Sequence, residues 1–328
     1  MTHPTYLVTG ALGCLGAWTM KNLLEANANV IAFDLGTDAY RWRALMDDET
    51  VARAKLLNGD VSDYKAVERV ILENGVTHVI HLAALQIPFC RANPVVGAQV
   101  NVVGMVNVLQ VAAKQRDRIK RVVYASSAAV YGPPHLYPTL PVPVDAPLAP
   151  TTLYGSYKQD NENCARVFWN ENGVESVGIR PFVIYGVGRD RGATSSPTKA
   201  MLAAVLGREW KIPHGGRFHF QLVDDAAKTF IKTATSEFHG ASVFNLNGIV
   251  ASVPEIIDAI ERVAPDARGK ISFDPKPLAF PEELDVSTLK ATFGNLPETP
   301  LGEGVASTLE HFRALVEQER IDVENALA

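Results

Sequence analysis

Cysteine is scarce in this sequence and its few positions are scattered. The 328 residues contain three cysteines, Cys14, Cys90 and Cys164, and none belongs to a Cys-x-x-Cys pair. An odd, dispersed set predicts buried thiols in a reducing compartment and argues against a disulfide framework or a structural zinc site. We therefore expect a cytoplasmic protein without a metal centre.

Strong charge and long apolar runs are lacking as well. The formal net charge is -5, so neither nucleic acid nor an anionic membrane is expected as a partner. No stretch approaches the roughly 20 apolar residues that span a bilayer. The first four residues, Met-Thr-His-Pro, lack the basic region of a signal or transit peptide. A hydrophobic share of 47% with 20% charged residues is typical of a globular chain and excludes a mostly disordered one.

Short apolar runs alternate with segments of helical length through the first half of the chain. The runs cover residues 6–9, 30–33, 54–57, 78–82 and 121–125. Residues 13–26 and 62–73 have helical length, and Asn93-Pro94 pairs an N-cap residue with proline at the first helical position. Strands that are apolar on both faces belong to a parallel sheet covered by helices on each side. The pattern predicts an α/β protein with a Rossmann-type, doubly wound parallel sheet.

The second half is less regular. Seven prolines between residues 132 and 150 exclude a helix or a central strand there and predict a long loop, and residues 186–199 predict a second loop. Ser252 and Glu255 form a capping box at a helix start, and residues 302–319 predict a final surface helix. We expect a Rossmann domain over residues 1–178 and a smaller substrate-binding region over residues 179–328. Segments near residues 220–250 are expected to pack back on the Rossmann domain.

A glycine-rich turn follows the first predicted strand. Gly10, Gly13 and Gly16 stand in a Gly-x-x-Gly-x-x-Gly spacing that opens the first helix. Such a turn lets a dinucleotide pyrophosphate approach the backbone amides at a helix N-terminus. An ordinary tight strand-to-helix turn is the alternative for the glycines alone. The residues expected to contact the cofactor with them are Leu12, Cys14 and Leu15.

Asp34 closes the second strand, roughly 20 residues after the glycines, where a carboxylate accepts hydrogen bonds from the adenosine ribose hydroxyls. The same carboxylate would repel a 2′-phosphate, so NAD is favoured over NADP. Arg41 and Arg43 are interpreted as lying on a solvated helix face. Asp60 and Val61 are predicted to end the third strand near the adenine. Helix capping by Ser62 or Asp63 is the alternative interpretation of that stretch.

Tyr154 and Lys158 are four residues apart, which places both side chains on one face of a helix. A nearby ammonium favours phenolate, so the spacing predicts a tyrosine that exchanges a proton with an alcohol or carbonyl oxygen. Ser127 follows the predicted strand 121–125 at its carboxyl end, where ligands bind in open parallel sheets. Its hydroxyl is a candidate donor to the reacting oxygen. A capping role at the strand end is the alternative, and it suits Ser126 better.

Together these segments resemble the extended short-chain dehydrogenase/reductases, and more narrowly the NAD-dependent epimerase/dehydratase group. The segments that carry the resemblance are Gly10/Gly13/Gly16, Asp34, Asp60-Val61, His81-Leu-Ala-Ala84, Asn101, Ser126-Ser-Ala-Ala-Val-Tyr-Gly132, Tyr154/Lys158 and Arg180-Pro-Phe-Val-Ile-Tyr-Gly186. The resemblance implies that Tyr154 is the general acid/base, that Ser127 flanks the substrate oxygen, and that Lys158 binds the nicotinamide ribose and lowers the tyrosine pKa.

The resemblance also assigns supporting residues and an assembly. Further cofactor contacts are implied for Leu82, Ala83, Ala84, Asn101 and Ile184. Phe182 is implied to lie near the nicotinamide and to contact the substrate. The apolar helix predicted near residues 93–116 and the one near 154–171 would pair with their copies, so a homodimer is expected.

Departures from the family pattern narrow the expected reaction. The acidic pair of sugar-nucleotide dehydratases is replaced by Ala128 and Ala129, which cannot move a proton. The family's arginine that binds a nucleotide phosphate is replaced here by Phe218. Arg217 precedes it, and in a strand its side chain should point away from the substrate cleft. Both changes weaken the case for a nucleotide sugar. The residues expected to line a small polar substrate are Gln86, Ser127, Ala128, Phe182, Arg189, Arg191 and Ser195.

Three functions remain open from the sequence. The favoured one is an NAD-dependent oxidoreductase acting on a CH-OH or C=O carbon of a small sugar, polyol or sugar acid. The alternative is an NAD-dependent epimerase of a sugar or nucleotide sugar that keeps its cofactor bound. A non-catalytic NAD-binding regulatory protein is the third, and the complete Ser127, Tyr154 and Lys158 set argues against it.

Overall fold

A seven-stranded parallel sheet forms the centre of the computed structural model, which describes residues 4–328. The strands in chain order are β1 (Thr5–Thr9), β2 (Asn29–Asp34), β3 (Lys55–Asn58), β4 (His78–His81), β5 (Arg121–Ala125), β6 (Ser176–Arg180), β7 (Val183–Tyr185), β8 (Trp210–Ile212), β9 (Arg217–Leu222), β10 (Ala241–Asn245), β11 (Ile249–Ser252) and β12 (Ile271–Phe273). The central sheet has the order β10-β6-β5-β4-β1-β2-β3 and every pairing in it is parallel. The predicted Rossmann-type α/β fold is confirmed.

Helices cover both faces of this sheet. The helices in chain order are α1 (Cys14–Glu25), α2 (Tyr40–Leu45), α3 (Asp48–Ala52), α4 (Tyr64–Glu73), α5 (Ile87–Ala92), α6 (Pro94–Ala98), α7 (Gly104–Lys114), α8 (Leu153–Asn172), α9 (Ser196–Val205), α10 (Val223–Thr235), α11 (Val253–Val263), α12 (Ser287–Phe293), α13 (Leu301–Glu317) and α14 (Val323–Leu327). Buried side chains of α1 and α10 belong to the core on one face, and those of α4 and α7 belong to the core on the other. This arrangement explains why the strands are apolar on both sides.

The strand order reverses between β1 and β4. From β1 the chain builds outward through β2 and β3, and β4, β5, β6 and β10 then extend the sheet the other way. A crevice opens outside the carboxyl ends of the strands at such a switch point. The glycine turn after β1 and the segments that follow β4 and β5 therefore meet there.

The later chain returns to the sheet and also builds a separate layer. β10 joins the edge of the central sheet beside β6, and α10 packs against α1. The predicted domain boundary at residue 178 falls inside β6. Two smaller sheets, β11-β9-β7 and β12-β8, are separate from the central sheet.

Several element boundaries differ from the sequence predictions. α9 begins at Ser196, so the predicted 186–199 loop ends earlier because a proline at Pro197 is compatible with a first helical turn. β3 ends at Asn58, which leaves Asp60 and Val61 in the turn after the strand. The short helix α14 was not predicted. The capping box at Ser252 and Glu255 is confirmed, and the last long helix runs over 301–317.

One helical segment is longer and more apolar than the sequence analysis allowed. α6, a π-helical turn at Gln99–Val103 and α7 form a continuous helix from Pro94 to Lys114, which by length and composition alone could cross a membrane. The expectation that no stretch approaches that length was therefore wrong. Half of this helix is buried within the protein, as in a helix that packs on a core.

Candidate active site

The glycine turn has no room for side chains. Gly10 has a φ of +68°, and a Cβ on it would lie 2.6 Å from the amide nitrogen of Ala83. A Cβ on Gly16 would lie 2.1 Å from the carbonyl oxygen of Gly10. Gly13 is the N-cap of α1 and offers no side-chain cap to the first helical amides. Backbone amides at a bare helix N-terminus suit a pyrophosphate, so this turn fits a dinucleotide.

A groove of about 520 Å³ continues from this turn toward β2 and β3. Among its lining residues are Leu12, Asp34, Asp60, Val61, Leu82, Ala83 and Ala84. The Asp34 carboxylate accepts hydrogen bonds from the amides of Leu12 at 2.9 Å and Gly36 at 3.0 Å. These bonds aim the carboxylate and leave it further lone pairs for ribose hydroxyls. Asp60 accepts from the Ser62 amide at 2.8 Å, while Asp63 is the residue that caps α4.

Arg41 does not lie on a solvated helix face, which corrects the sequence interpretation. Its guanidinium donates to the carbonyl oxygens of Leu12 and Gly188, both at 3.0 Å, and pairs with Asp190 at 2.5 Å. Arg41 thus connects the glycine turn to the loop after β7. Arg43 is half exposed, as predicted, and pairs with Asp38.

The three predicted catalytic residues line one cavity of about 230 Å³ next to the glycine turn. Ser127 follows β5, and its hydroxyl accepts from the Ala129 amide at 3.1 Å. Tyr154 lies in the first turn of α8, which Thr152 caps by accepting from Gly155 at 3.0 Å. A Cβ on Gly155 would lie 2.2 Å from the carbonyl oxygen of Ala129, so glycine allows the helix to approach the turn that carries Ser127.

Lys158 projects from the next turn of α8 into the same cavity. Its ammonium donates to the carbonyl oxygen of Ala125 at 2.7 Å and lies 5.6 Å from the centre of the Tyr154 ring. Burial lowers the Lys158 pKa to about 8. Burial also raises the pKa of Tyr154 above its usual value, although a hydrogen bond with Ser127 and the charge of Arg189 act to lower it. The expectation that Lys158 lowers the tyrosine pKa is therefore not met; the burial of Tyr154 dominates.

Beyond the segments that carry the catalytic residues, the cavity is lined by residues from five further segments. Of the predicted substrate residues, Gln86, Ala128, Phe182 and Arg189 line it, and so do the predicted cofactor residues Cys14, Leu15 and Ile184. Burial raises the pKa of the Cys14 thiol to about 11.

Arg189 and Gln86 meet at the far wall of the cavity. One guanidinium nitrogen of Arg189 donates to Thr194 at 3.1 Å, but its Nε is buried without a protein partner, as is Oε1 of Gln86. A Cβ on Gly192 would lie 2.1 Å from Gln86 Oε1 and 3.4 Å from an Arg189 nitrogen, so both side chains converge on that glycine. A buried donor and a buried acceptor without partners are a place where a polar ligand can be recognised.

Three predicted site residues lie away from the cavity walls. Arg191 is exposed and donates to Asn325, because the loop turns outward after Asp190. Ser195 is buried and its hydroxyl donates to the Gly192 carbonyl oxygen at 2.9 Å. Asn101 is buried behind the groove, where its amide bonds the backbone of Leu85 and the sulfur of Cys90. Ser195 and Asn101 therefore hold loops and do not line the cavity.

Other lining residues lie outside the predicted set of site residues. They are Ile87, Ala129, Pro181, Ala193, Thr194 and Phe280. Thr194 belongs to the predicted loop over residues 186–199. Phe280 comes from a distant segment, and its ring contacts that of Phe182 with 6.0 Å between centroids. No local motif could have identified Phe280. Within residues 4–328, no group of three or more His, Cys, Asp and Glu side chains is arranged to hold a metal ion.

A dinucleotide groove that ends at a Ser, Tyr and Lys set on a Rossmann fold defines the class of the extended short-chain dehydrogenase/reductases. Residues 6–246 match the NAD dependent epimerase/dehydratase family. A UDP-glucose 4-epimerase from Mycolicibacterium smegmatis is 30% identical over 316 residues, which cover 94% of this chain and 98% of the relative. The chain belongs to the NAD-dependent epimerase/dehydratase family, and its cofactor is NAD.

Solved structures show the same fold at lower sequence identity. A partial consensus L-threonine 3-dehydrogenase superposes with a TM-score of 0.84 at 23% identity, covering 95% of this chain and 100% of the other. The UDP-glucose 4-epimerase of Thermotoga maritima, solved with UDP-glucose, has a TM-score of 0.82 at 21% identity, covering 95% and 99%. The likeness therefore extends to the C-terminal region, beyond the part that matches the family.

Proposed function

We propose that this protein is an NAD-dependent dehydrogenase that oxidises a secondary alcohol, or reduces the corresponding ketone, in a small sugar, polyol or sugar acid. The observation that carries the proposal is the composition of the cavity beside Tyr154. Its described lining contains two cationic side chains, Lys158 and Arg189, and Lys158 is already engaged by Ala125. Arg189 with Gln86 offers one anion-binding donor group and one acceptor, which match a carboxylate beside a hydroxyl.

The chain's own residues account for the proton chemistry. The glycine turn and Asp34 would hold NAD in the groove, where it would supply the hydride-transfer chemistry for the reacting carbon. Tyr154 takes the hydroxyl proton as phenolate during oxidation, and it gives that proton back as phenol during reduction. Ser127 hydrogen-bonds the same substrate oxygen and orients it toward Tyr154. Lys158 holds the nicotinamide ribose through the ammonium hydrogens that Ala125 does not engage.

The position of Phe218 argues against a nucleotide sugar. Phe218 on β9 is fully buried against Phe182, 6.2 Å between ring centroids, and a phenyl ring cannot bind a phosphate. Arg217, the neighbouring residue, is half exposed and pairs with Glu283 at 3.4 Å. A diphosphate carries two negative charges and requires close cationic or amide partners when buried. Arg189 alone is a poor match for it.

An epimerase is the second candidate, and the names of the relatives favour it. The same Tyr154, Ser127 and Lys158 would serve either reaction, because both begin with removal of a hydride and a proton from an alcohol. A regulatory protein that has lost catalysis would not need this set of three side chains.

The proposal extends to assembly and location. Exposed apolar side chains lie close together in the chain along α5 to α7 and recur on α8, among them Phe89, Val95, Val96, Val103 and Val167. Val95 alone is 69% exposed. We infer that this surface, called the α5–α8 face below, pairs with its copy in a homodimer that works in a reducing compartment such as the cytoplasm.

Substrate screening with two readouts tests the proposed function. Free sugars, polyols, sugar acids, hydroxy amino acids such as L-threonine, and nucleotide sugars are each incubated with NAD. NADH absorbance and product stereochemistry are recorded together. We expect NADH to accumulate with a small polyhydroxylated compound. Calorimetry with UDP and UDP-glucose is the counter-test: micromolar binding of either would overturn the small-substrate proposal and favour the epimerase.

A further inference from the structure

A buried carboxylate lies one helical turn beyond the proposed catalytic lysine. Glu162 is 8% exposed and forms a two-pronged ion pair with Arg180, with Nε–Oε1 at 2.8 Å and Nη2–Oε2 at 2.7 Å. Glu162 also accepts a hydrogen bond from the Ser126 hydroxyl. All three side chains are buried. Parallel donation from a guanidinium to both carboxylate oxygens gives a strong and directional ion pair.

This ion pair joins the elements that carry the catalytic residues. Glu162 stands on α8 four residues after Lys158, and Ser126 precedes Ser127 at the end of β5. Arg180 is the last residue of β6, and its remaining nitrogen donates to Tyr131 at 2.7 Å and to the Val144 carbonyl oxygen at 2.8 Å. One carboxylate therefore ties α8 to the ends of two central strands.

Stability alone is a weak reason for burying these charges. Removing two charges from water is costly, and well-packed apolar residues are often as stabilising as a buried ion pair. The charge of Glu162 instead has a nearby group to act on. Burial lowers the pKa of Lys158, whereas Cys90 and, after it, Glu162 raise it.

The other groups around Lys158 do not replace Glu162. His81 on β4 senses the Lys158 charge, and burial keeps that histidine neutral, with a pKa of about 3. Tyr154 on α8 has a raised pKa and stays a neutral phenol near pH 7. Cys90 on α5 also has a raised pKa, so its thiol is neutral there. Arg180 on β6 is cationic. Glu162 is thus the carboxylate that supports the Lys158 ammonium.

We propose that Glu162 is a positioning residue for Lys158: held by Arg180 and Ser126, it fixes the catalytic turn of α8 and supplies the negative charge that keeps the Lys158 ammonium protonated. The proposal rests on the proposed role of Lys158 at the nicotinamide ribose. It does not depend on which substrate the enzyme uses.

NADH binding as a function of pH tests the proposal without any substrate. NADH fluorescence titrations of the wild type should show affinity falling as pH rises through the Lys158 pKa, because a neutral amine attracts the anionic cofactor less. Glu162→Gln should move this midpoint downward by about one pH unit, the lower end of the usual effect of a neighbouring opposite charge. Glu162→Asp keeps the charge and should restore most of the shift.

Two further variants identify the group and control for helix damage. Lys158→Met should abolish the alkaline step, and a step that persists in this variant would overturn the assignment to Lys158. Glu171→Gln removes an exposed carboxylate from the same helix and should leave the midpoint unchanged. If Glu162→Gln lowers thermal stability but leaves the midpoint at its wild-type value, Glu162 is only structural and the proposal fails.

A folding failure of Glu162→Gln is covered by a double variant. Glu162→Gln with Arg180→Gln removes both charges of the ion pair, and the midpoint should still fall because Glu162, but not Arg180, is among the groups that shift the pKa of Lys158. An unchanged midpoint in the double variant overturns the proposal. Failure of the substrate screen with a normal midpoint shift would reject the proposed reaction and leave the role of Glu162 intact.

Discussion

The ammonium of Lys158 donates to the carbonyl oxygen of Ala125, the last residue of β5, at 2.7 Å. An ammonium has three hydrogens, so this bond leaves two for other acceptors. The contact also ties the second turn of α8 to the strand that leads into Ser127. Lys158 is therefore both a link between two catalytic elements and a candidate ligand for the nicotinamide ribose.

Replacing Tyr154 should separate binding from catalysis. Tyr154→Phe removes the proton-transferring oxygen and keeps the ring, so we expect NAD affinity to stay near the wild-type value and turnover to fall by roughly 10²-fold or more. Calorimetry and steady-state kinetics measure the two effects. Tyr157→Phe is the matched control on the same helix, since its hydroxyl donates to Pro94 outside the cavity. Wild-type turnover in Tyr154→Phe would remove this residue from the mechanism.

Removal of Lys158 should affect both binding and catalysis. Lys158→Ala deletes the ammonium that supports the nicotinamide ribose, so NAD affinity should fall, and turnover should fall with it because the nicotinamide is no longer positioned. The free energy of unfolding is measured alongside. A variant that loses stability but keeps its NAD affinity and turnover would show that the lysine is only structural.

Asp34 should determine the preference for NAD over NADP. Its carboxylate is aimed by the Leu12 and Gly36 amides, and Arg41 is held by Asp190 and is not free to receive a 2′-phosphate. We expect titrations to show a higher affinity for NAD than for NADP. Asp34→Ala should reduce this difference in affinity. Asp48→Ala, which removes an exposed carboxylate on α3, should leave it unchanged. Tighter NADP binding by the wild type would contradict this prediction.

The protein should lose stability in mild acid because it buries neutral histidines. Burial lowers the pKa of His81 from 6.5 to about 3 and that of His78 to about 4. Below pH 6.5 the unfolded chain binds more protons than the folded one, so the free energy of unfolding falls as pH drops from 6.5 toward the folded pKa values. For His81 the loss between about pH 7 and about pH 5 is on the order of 2 kcal/mol.

Urea unfolding at several pH values measures this dependence. His81→Phe should flatten the curve, although it also loses the contact of Nδ1 with the Thr9 hydroxyl at 2.8 Å. His135→Gln, at an exposed position, should leave the curve unchanged. Equal acid sensitivity in wild type and His81→Phe would disprove the role of His81.

A charged residue on the α5–α8 face should prevent dimerisation. Val95 and Val103 are 69% and 43% exposed, and burying a carboxylate there without a partner is costly. We expect the wild type to be a dimer by light scattering at micromolar concentration, and the Val95→Glu/Val103→Glu variant to be a monomer. Leu72→Glu changes an exposed apolar residue on α4, outside that face, and should remain dimeric. A monomeric wild type would reject the homodimer.

Local sequence was enough for the fold class and for much of the catalytic centre. Two-sided apolar strands and helical spacers predict a doubly wound sheet, because their periodicity reports burial directly. The glycines of the first turn, Asp34, Ser127, Tyr154 and Lys158 were identified because each lies at a strand end or on one helix face, where spacing along the chain determines position in space. The structure places all of them along one groove.

Only the tertiary structure determines which residues line the cavity around the catalytic side chains. Arg189, Arg191 and Ser195 were equivalent in sequence, yet only Arg189 lines the cavity, because the loop turns outward at Arg191 and Ser195 bonds back to Gly192. Phe280 reaches the site from a segment about 100 residues beyond Phe182, a distance that no local pattern encodes. The pKa of Tyr154 likewise depends on burial by distant residues more than on the lysine four positions away. Periodicity and spacing describe neighbours along the chain, whereas pocket walls and desolvation are set by elements that meet only when the chain folds.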